Sequence, residues 1–388
     1  MKLKNVLADF PLLYCWAIFF AIIYSQISYA TERVPMVPSV AAKAYLLQDY
    51  QTGKIIAGEN IHQRLAPASI TKLMTAYVVS NELAMGNITL DEEVLISEKA
   101  WRMVGSRSFI EVNSRVKIED LLRGMIIQSG NDAAVALAEH IAGGEAIFAQ
   151  MMNQYAVKLG MHDTHYTNVT GLPDPNHYTT AKDIATLSTA VIRDFPVHYR
   201  WYSEKEYTYN NITQRNRNKL LWRDKSVDGL KTGLTNEAGY CLVASANRDG
   251  MRLISVILGA KSPRIRTKET QKLLNYGFRF YTTQTLYDVD ETILEAKVWK
   301  GSQKTVSLGV SAPLVLTLAR GDHQQLVYKK NHDVTIVAPF SAGQQLGMLE
   351  VYLNDELLAE RAMVAIHPVE ANHWWGRFID SVNMLFED

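Results

Sequence analysis

Residues 240–260, "YCLVASANRDGMRLISVILGA", are two apolar runs separated by Asn-Arg-Asp-Gly. Apolar runs of this length around a D-G turn read as a β-hairpin. Hairpin-joined strands are antiparallel, because parallel neighbours need a crossover of a dozen or more residues. "AAKAYLLQDYQTGKIIAGEN" (41–60) repeats the arrangement around T-G-K, "KEYTYNNI" (205–212) alternates, and "VDGLKTGLT" (227–235) is strand-like after a loop. Apolar residues at helical spacing fill the region between: 68–83, 119–143 with an interruption at "SGN", 145–161 ending at Gly160, and 181–195. A further helix is expected in 268–281, and the two prolines and glycine of "TNVTGLPDPNHYTT" (167–180) require a loop. Strands at both ends and helices in the middle predict an α/β domain on an antiparallel sheet.

The texture changes after about Thr283. Short alternating runs with turns predict a small all-β domain over 283–368. In the final stretch, 369–388, Ala371, Trp374, Trp375, Phe378, Ile379, Val382, Leu385 and Phe386 recur at steps of three and four. They would form one apolar face of a C-terminal amphipathic helix. A membrane-surface anchor and a helix docked on the β domain are both open readings. The polar face is acidic, so anionic lipid would not strengthen the first.

The chain has 388 residues, 47% hydrophobic and 21% charged, with no net charge. That composition fits globular domains with a large core and gives no basic surface for nucleic acid. Lys2 and Lys4 followed by an apolar segment, Phe10–Ile23, and by Ser28-Tyr29-Ala30 predict a signal peptide over 1–30. An uncleaved anchor is the alternative, and either one exports the rest of the chain. Cys241 is then the sole mature cysteine, so no intramolecular disulfide is expected. Its apolar neighbours mark it as a buried strand residue.

Ser69 and Lys72, in "APASITKLMT" (66–75), stand one turn apart where a helix begins. Residues at i and i+3 share a helix face. A serine hydroxyl is a weak nucleophile that needs an adjacent base. A lysine serves only where burial or neighbouring cations lower its pKa. Taken alone, the pair also reads as an N-cap serine and a lysine reaching to solvent. "QSGND" adds Ser129 and Asn131, and "LKTG" adds Lys231, Thr232 and Gly233, about sixty and one hundred residues further on. His162 and His165 of "HDTH" have no companion ligands nearby, and the N-x-T sites at Asn87, Asn168 and Asn211 carry no glycan in a bacterial-type exported protein.

The order S-x-x-K, S-x-N, K-T-G resembles the penicillin-recognising serine acyltransferases. With "NRNKLLW", "VDGLKTGLTNEAGY" and the domain layout, the mature chain is similar to the low-molecular-mass D-alanyl-D-alanine carboxypeptidases. The resemblance implies a β-lactamase/transpeptidase-like domain over 31–282, with helices on both sides of its sheet. It also implies peptidoglycan stem pentapeptide as substrate, β-lactams as acylating inhibitors, and neither metal nor cofactor. By position, Ser69 would be the nucleophile, Lys72 its base and Ser129 the proton relay. Asn131, Lys231, Thr232, Gly233 and Leu234 would bind substrate, with the N–H groups of Ser69 and Leu234 as oxyanion hole. Arg217 and Arg266 would receive the C-terminal carboxylate. Leu234 stands where several relatives carry histidine. The loop at 167–180 has Asp174 as its one acid and lacks the glutamate of class A β-lactamases, so efficient β-lactam hydrolysis is not expected. The implied location is the periplasmic face of the inner membrane, with peripheral attachment. A D,D-endopeptidase and a non-catalytic penicillin-binding scaffold are the rival readings.

Overall fold

The computed structural model describes residues 34–333 and 335–386. The expected signal peptide lies outside the described residues. Strands β1 (Ala44–Asp49) and β2 (Ile55–Glu59) form the first hairpin. The second antiparallel unit is β3 (Val227–Thr235), β4 (Gly239–Arg248) and β5 (Met251–Ala260). Strand β1 also pairs antiparallel with β5, in register Leu46 with Val256, giving one sheet in the order β2-β1-β5-β4-β3. The hairpin at 240–260 is therefore the middle of the sheet, and β3 is an edge.

Side chains alternate across a strand, so each face needs its own cover. Leu46, Val243, Ile254 and Val256 pack into one buried cluster with Leu73, Ala133, Ile184 and Leu187 of the central helices. Leu47 and Leu253 point the other way, onto Gly277 of the helix Pro263–Phe280, where an added Cβ would lie 2.9 and 2.5 Å from them. Burying one such leucine is worth roughly 1.5–3 kcal/mol. Both faces are thus sealed by helices, as expected. The helix Ala181–Asp194 starts at Thr180, whose hydroxyl accepts from Asp183 N, and Pro263–Phe280 starts at Ser262, which accepts from Ile265 N.

Helix α1 (Lys72–Ala84) lies within this core, with every residue from Lys72 to Ser80 buried. Lys72, at its first position, is 1% exposed. Helix α2 (Ile118–Arg123) runs into a π-turn, Gly124–Gln128, and α3 (Asn131–Ala142) follows. Between them Ser129 adopts a left-handed conformation, φ 70° and ψ 33°. The expected break at "SGN" is real, and it turns the serine side chain out of the helix line.

The β-rich part begins with a strand, Tyr281–Tyr287, paired to Leu314–Ala319. A six-stranded sheet follows, with its own apolar cluster around Leu308, Leu349, Val351 and Met363. A part-buried polar seam joins the Tyr281–Tyr287 and Leu314–Ala319 pair to the first sheet. The Asp49 carboxylate accepts from Thr52 Oγ1 and Thr283 Oγ1, and Thr317 Oγ1 lies 2.6 Å from Thr52 Oγ1.

The C-terminal helix, α4 (Trp374–Asn383), begins later than the apolar period suggests. Val369 exchanges backbone hydrogen bonds with Phe340, and Asn372 N donates to Lys300 O. These ladder bonds hold 369–372 extended, and Ala371 is outside the helix. Asp380 Oδ2 accepts from Lys300 N at 2.6 Å, so the polar side of α4 faces the β sheet. Trp374, Trp375, Phe378 and Ile379 are each more than half exposed. The apolar face is not the docked one.

Candidate active site

Ala68–Thr71 form a single 3₁₀ turn that feeds α1. Helix α1 thus starts at Lys72, four residues later than the expected start at Ala68, yet the two side chains still meet. Lys72 Nζ lies 3.2 Å from Ser69 Oγ, 2.6 Å from Asn131 Oδ1 and 2.7 Å from Thr170 O. Three acceptors suit an ammonium with three protons. Once one proton is lost, the two shorter bonds to Asn131 and Thr170 keep the amine in place, and its lone pair faces the Ser69 hydroxyl. Burial brings the Lys72 pKa down to about 7, opposed by the Asp132 carboxylate and aided by Arg217.

Lys231, also buried, donates to Ser129 Oγ at 2.8 Å and to Thr232 O at 3.1 Å. Burial and the positive charge of Lys72, then of Arg217 and Arg266, hold its pKa well below the usual lysine value. The two lysines therefore disfavour each other's protonation. Gly233 allows a close approach: a Cβ there would sit 3.0 Å from Pro67 O and 3.1 Å from Ala68 Cβ. Strand β3 is thereby pressed against the Ser69 turn. Leu234 next to it is 52% exposed and projects to solvent.

Asn131 is fixed at both ends, since its Nδ2 donates to Val104 O at 2.6 Å. Asp132, fully buried, accepts from Ser108 N and Phe109 N, which ties the 104–109 segment over the site. Arg217 Nε donates to Gln128 O at 3.0 Å. Arg266 Nη1 donates to Gly233 O at 3.0 Å and Cys241 O at 3.2 Å, with its guanidinium over the Tyr240 ring. Both arginines flank the cleft without a carboxylate partner of their own in these bonds. Asp174 is turned away, accepting from Asn176 N in its own loop. Cys241 is buried in β4, and burial pushes its thiol up to about 11, so it stays protonated and inert.

All ten sequence-derived site residues lie at or around one cleft. Thr170, Asp132, Thr71 and His177, which the motifs do not include, brace it. Thr170 acts through a backbone carbonyl, which leaves no mark on residue identity. Asp132 reads in sequence as an ordinary acid in a helix first turn.

An antiparallel sheet sealed by helices, with S-x-x-K, S-x-N and K-T-G meeting at one end, is the fold of a penicillin-binding protein. The chain belongs to the D-alanyl-D-alanine carboxypeptidase family of peptidases: the family model of that description matches residues 31–262. A second model, the C-terminal domain of penicillin-binding protein 5, matches residues 281–371. The D-alanyl-D-alanine carboxypeptidase DacC of Escherichia coli K12 is 41% identical over 377 residues, covering 95% of this chain and 94% of its own length. DacA of the same strain is 38% identical over 362 residues, covering 91% of this chain and 90% of its own. The crystal structure of penicillin-binding protein 5 from Haemophilus influenzae superposes with a TM-score of 0.80 at 40% identity, over 86% of this chain and 98% of that one.

Proposed function

We propose that this chain is a serine-type D-Ala-D-Ala carboxypeptidase that removes the terminal D-alanine from peptidoglycan stem pentapeptides. The observation that carries this is the buried Lys72 amine, 3.2 Å from Ser69 Oγ and with its pKa lowered to about 7. Ser69 Oγ attacks the carbonyl of the D-Ala–D-Ala bond while Lys72 takes its proton. The N–H groups of Ser69 and Leu234 receive the oxyanion. Ser129, held by Lys231, passes a proton to the leaving D-alanine nitrogen. Arg217, Arg266 and Thr232 receive the terminal carboxylate, and water then releases the shortened peptide. β-Lactams, which present the same carbonyl and carboxylate, acylate Ser69. The relatives' names and the ampicillin-bound structure of penicillin-binding protein D2 from Listeria monocytogenes, 31% identical with a TM-score of 0.58, support this reading.

The deciding experiment is labelling by a fluorescent penicillin, alongside D-alanine release from pentapeptide. Wild type should do both, and Ser69→Ala neither. Labelling that survives in Ser69→Ala would place the nucleophile elsewhere. Cleavage of a cross-linked dimer into its two stem peptides, with no D-alanine released from pentapeptide, would favour the endopeptidase.

The same reading places the enzyme outside the cytoplasm, at the periplasmic face of the inner membrane. The exposed Trp374, Trp375, Phe378 and Ile379 supply an apolar face suited to the lipid interface. Because 369–372 belong to the β ladder, the informative truncation ends after Asn372. It should move the protein from the membrane fraction to the soluble one and leave D-alanine release unchanged. Retention in the membrane fraction would count against anchoring by α4.

A further inference from the structure

One buried titratable side chain beside the cleft has no part in the steps above. His177, in the loop 167–180, is 3% exposed and lies against the turn that carries Ser69. Thr167 N donates to His177 Nδ1 at 3.0 Å, so Nδ1 presents its lone pair and the ring proton is on Nε2. Nε2 is 2.8 Å from Thr71 Oγ1, and Thr71 Oγ1 donates to Ala68 O at 2.8 Å. The single Thr71 proton is committed to Ala68, so the Thr71 oxygen accepts from His177. The string of bonds ends on the carbonyl of the Ala68–Ser69 peptide.

That peptide needs support. Ala68 has φ +48°, a left-handed conformation that an L-residue adopts only at a cost. The same loop reaches the site twice more: Thr170 O accepts from Lys72, and Gly171 lies against Ala68 O. Loop, base and nucleophile turn are one braced unit, with His177 linking the loop to the turn and Thr75 Oγ1 linking α1 to Val169 O.

We propose that His177 is a positioning residue for acylation, which as the Nε2–H tautomer ties the loop 167–180 through Thr71 to the Ala68–Ser69 peptide and so aims the nucleophile. The inference rests on Ser69 being that nucleophile. The groups facing His177 are Asp174 and His165, the Tyr166 ring edge-on at 5.6 Å, and Lys72. Burial brings its pKa down to about 4, so the ring stays neutral wherever Lys72 can act as a base.

The test separates the two nitrogens. In His177→Gln the side-chain amide can still donate where Nε2 does. In His177→Asn the shorter side chain keeps an acceptor for Thr167 N and loses the donor to Thr71. The second-order rate of acylation by a fluorescent penicillin should stay within about threefold of wild type for Gln and fall about 10–100-fold for Asn. Thr71→Val, which removes the relay hydroxyl, should fall similarly, and His177→Asn should add little on top of it. Acylation by Asn equal to wild type, or Gln and Asn falling together, would overturn the proposal. So would additive losses in the double variant, or lower melting temperatures with no difference in acylation between the two. Labelling in Ser69→Ala is the separate result that would defeat the nucleophile assignment beneath it.

Discussion

Lys72→Arg is expected to lower the acylation rate by about 10⁴-fold, the upper end of what a positioned general base contributes. Arginine keeps the charge and the hydrogen-bond donors, but its guanidinium is not deprotonated in proteins. The variant therefore isolates proton acceptance from charge. In wild type the same rate should follow the neutral fraction of Lys72, whose pKa is about 7. The sign is fixed: the base works when uncharged, so acylation rises with pH, about tenfold per unit below 7, and levels off above it. In the free enzyme the shift comes from burial and the charge of Arg217, opposed by Asp132. A stopped-flow series with one penicillin from pH 5 to 9 measures it. A profile flat across that range, or substantial activity in Lys72→Arg, would remove Lys72 from the role of base.

Gly171→Ala should also be damaging, through both stability and rate, from a residue outside the catalytic set. A Cβ at this position would sit 1.8 Å from Ala68 O, 2.3 Å from Ala68 C and 2.8 Å from Thr71 Oγ1. Two of those atoms are backbone of the residue before the nucleophile, so relief requires the Ser69 turn or the loop to move. Gly171 also has φ +82°, which glycine adopts freely and alanine does not. Overpacking and the backbone term together should cost about 2–4 kcal/mol. The melting temperature would then fall by roughly 5–15 °C. Acylation should fall by about tenfold or more, measured at a temperature where both proteins are folded. An unchanged melting temperature and rate would show that the loop relaxes without disturbing Ser69.

Much of this site is legible before any coordinates. The hairpin at 240–260 makes the sheet antiparallel because its turn is too short for anything else. The interruption at "SGN" reads correctly because serine, glycine and asparagine all favour a break in a helix. In the structure that break places Ser129 beside Lys231. The apolar run after Lys72, interrupted at Thr75, fits a buried helix, and the structure places Lys72 buried at its start. The C-terminal helix shows where local pattern misleads. Apolar spacing extends back to Ala371, yet 369–372 are drawn into the β ladder by Phe340 and Lys300, residues remote in sequence.

The sequence alone determined the residue types that meet at the cleft, the antiparallel connection of the strands and the apolar run that follows Lys72. Each follows from local chemistry: hydroxyl and amine one turn apart, a turn signal between apolar runs, apolar side chains in succession after the lysine. Only the tertiary structure decided how the parts are aimed. Ser69 is held by a carbonyl that His177 secures from more than one hundred residues away, and Lys72 is held by the carbonyl of Thr170. Backbone acceptors are the same at every residue, and a left-handed Ala68 looks like any alanine. Such contacts exist only once the loop 167–180 has packed against the start of α1.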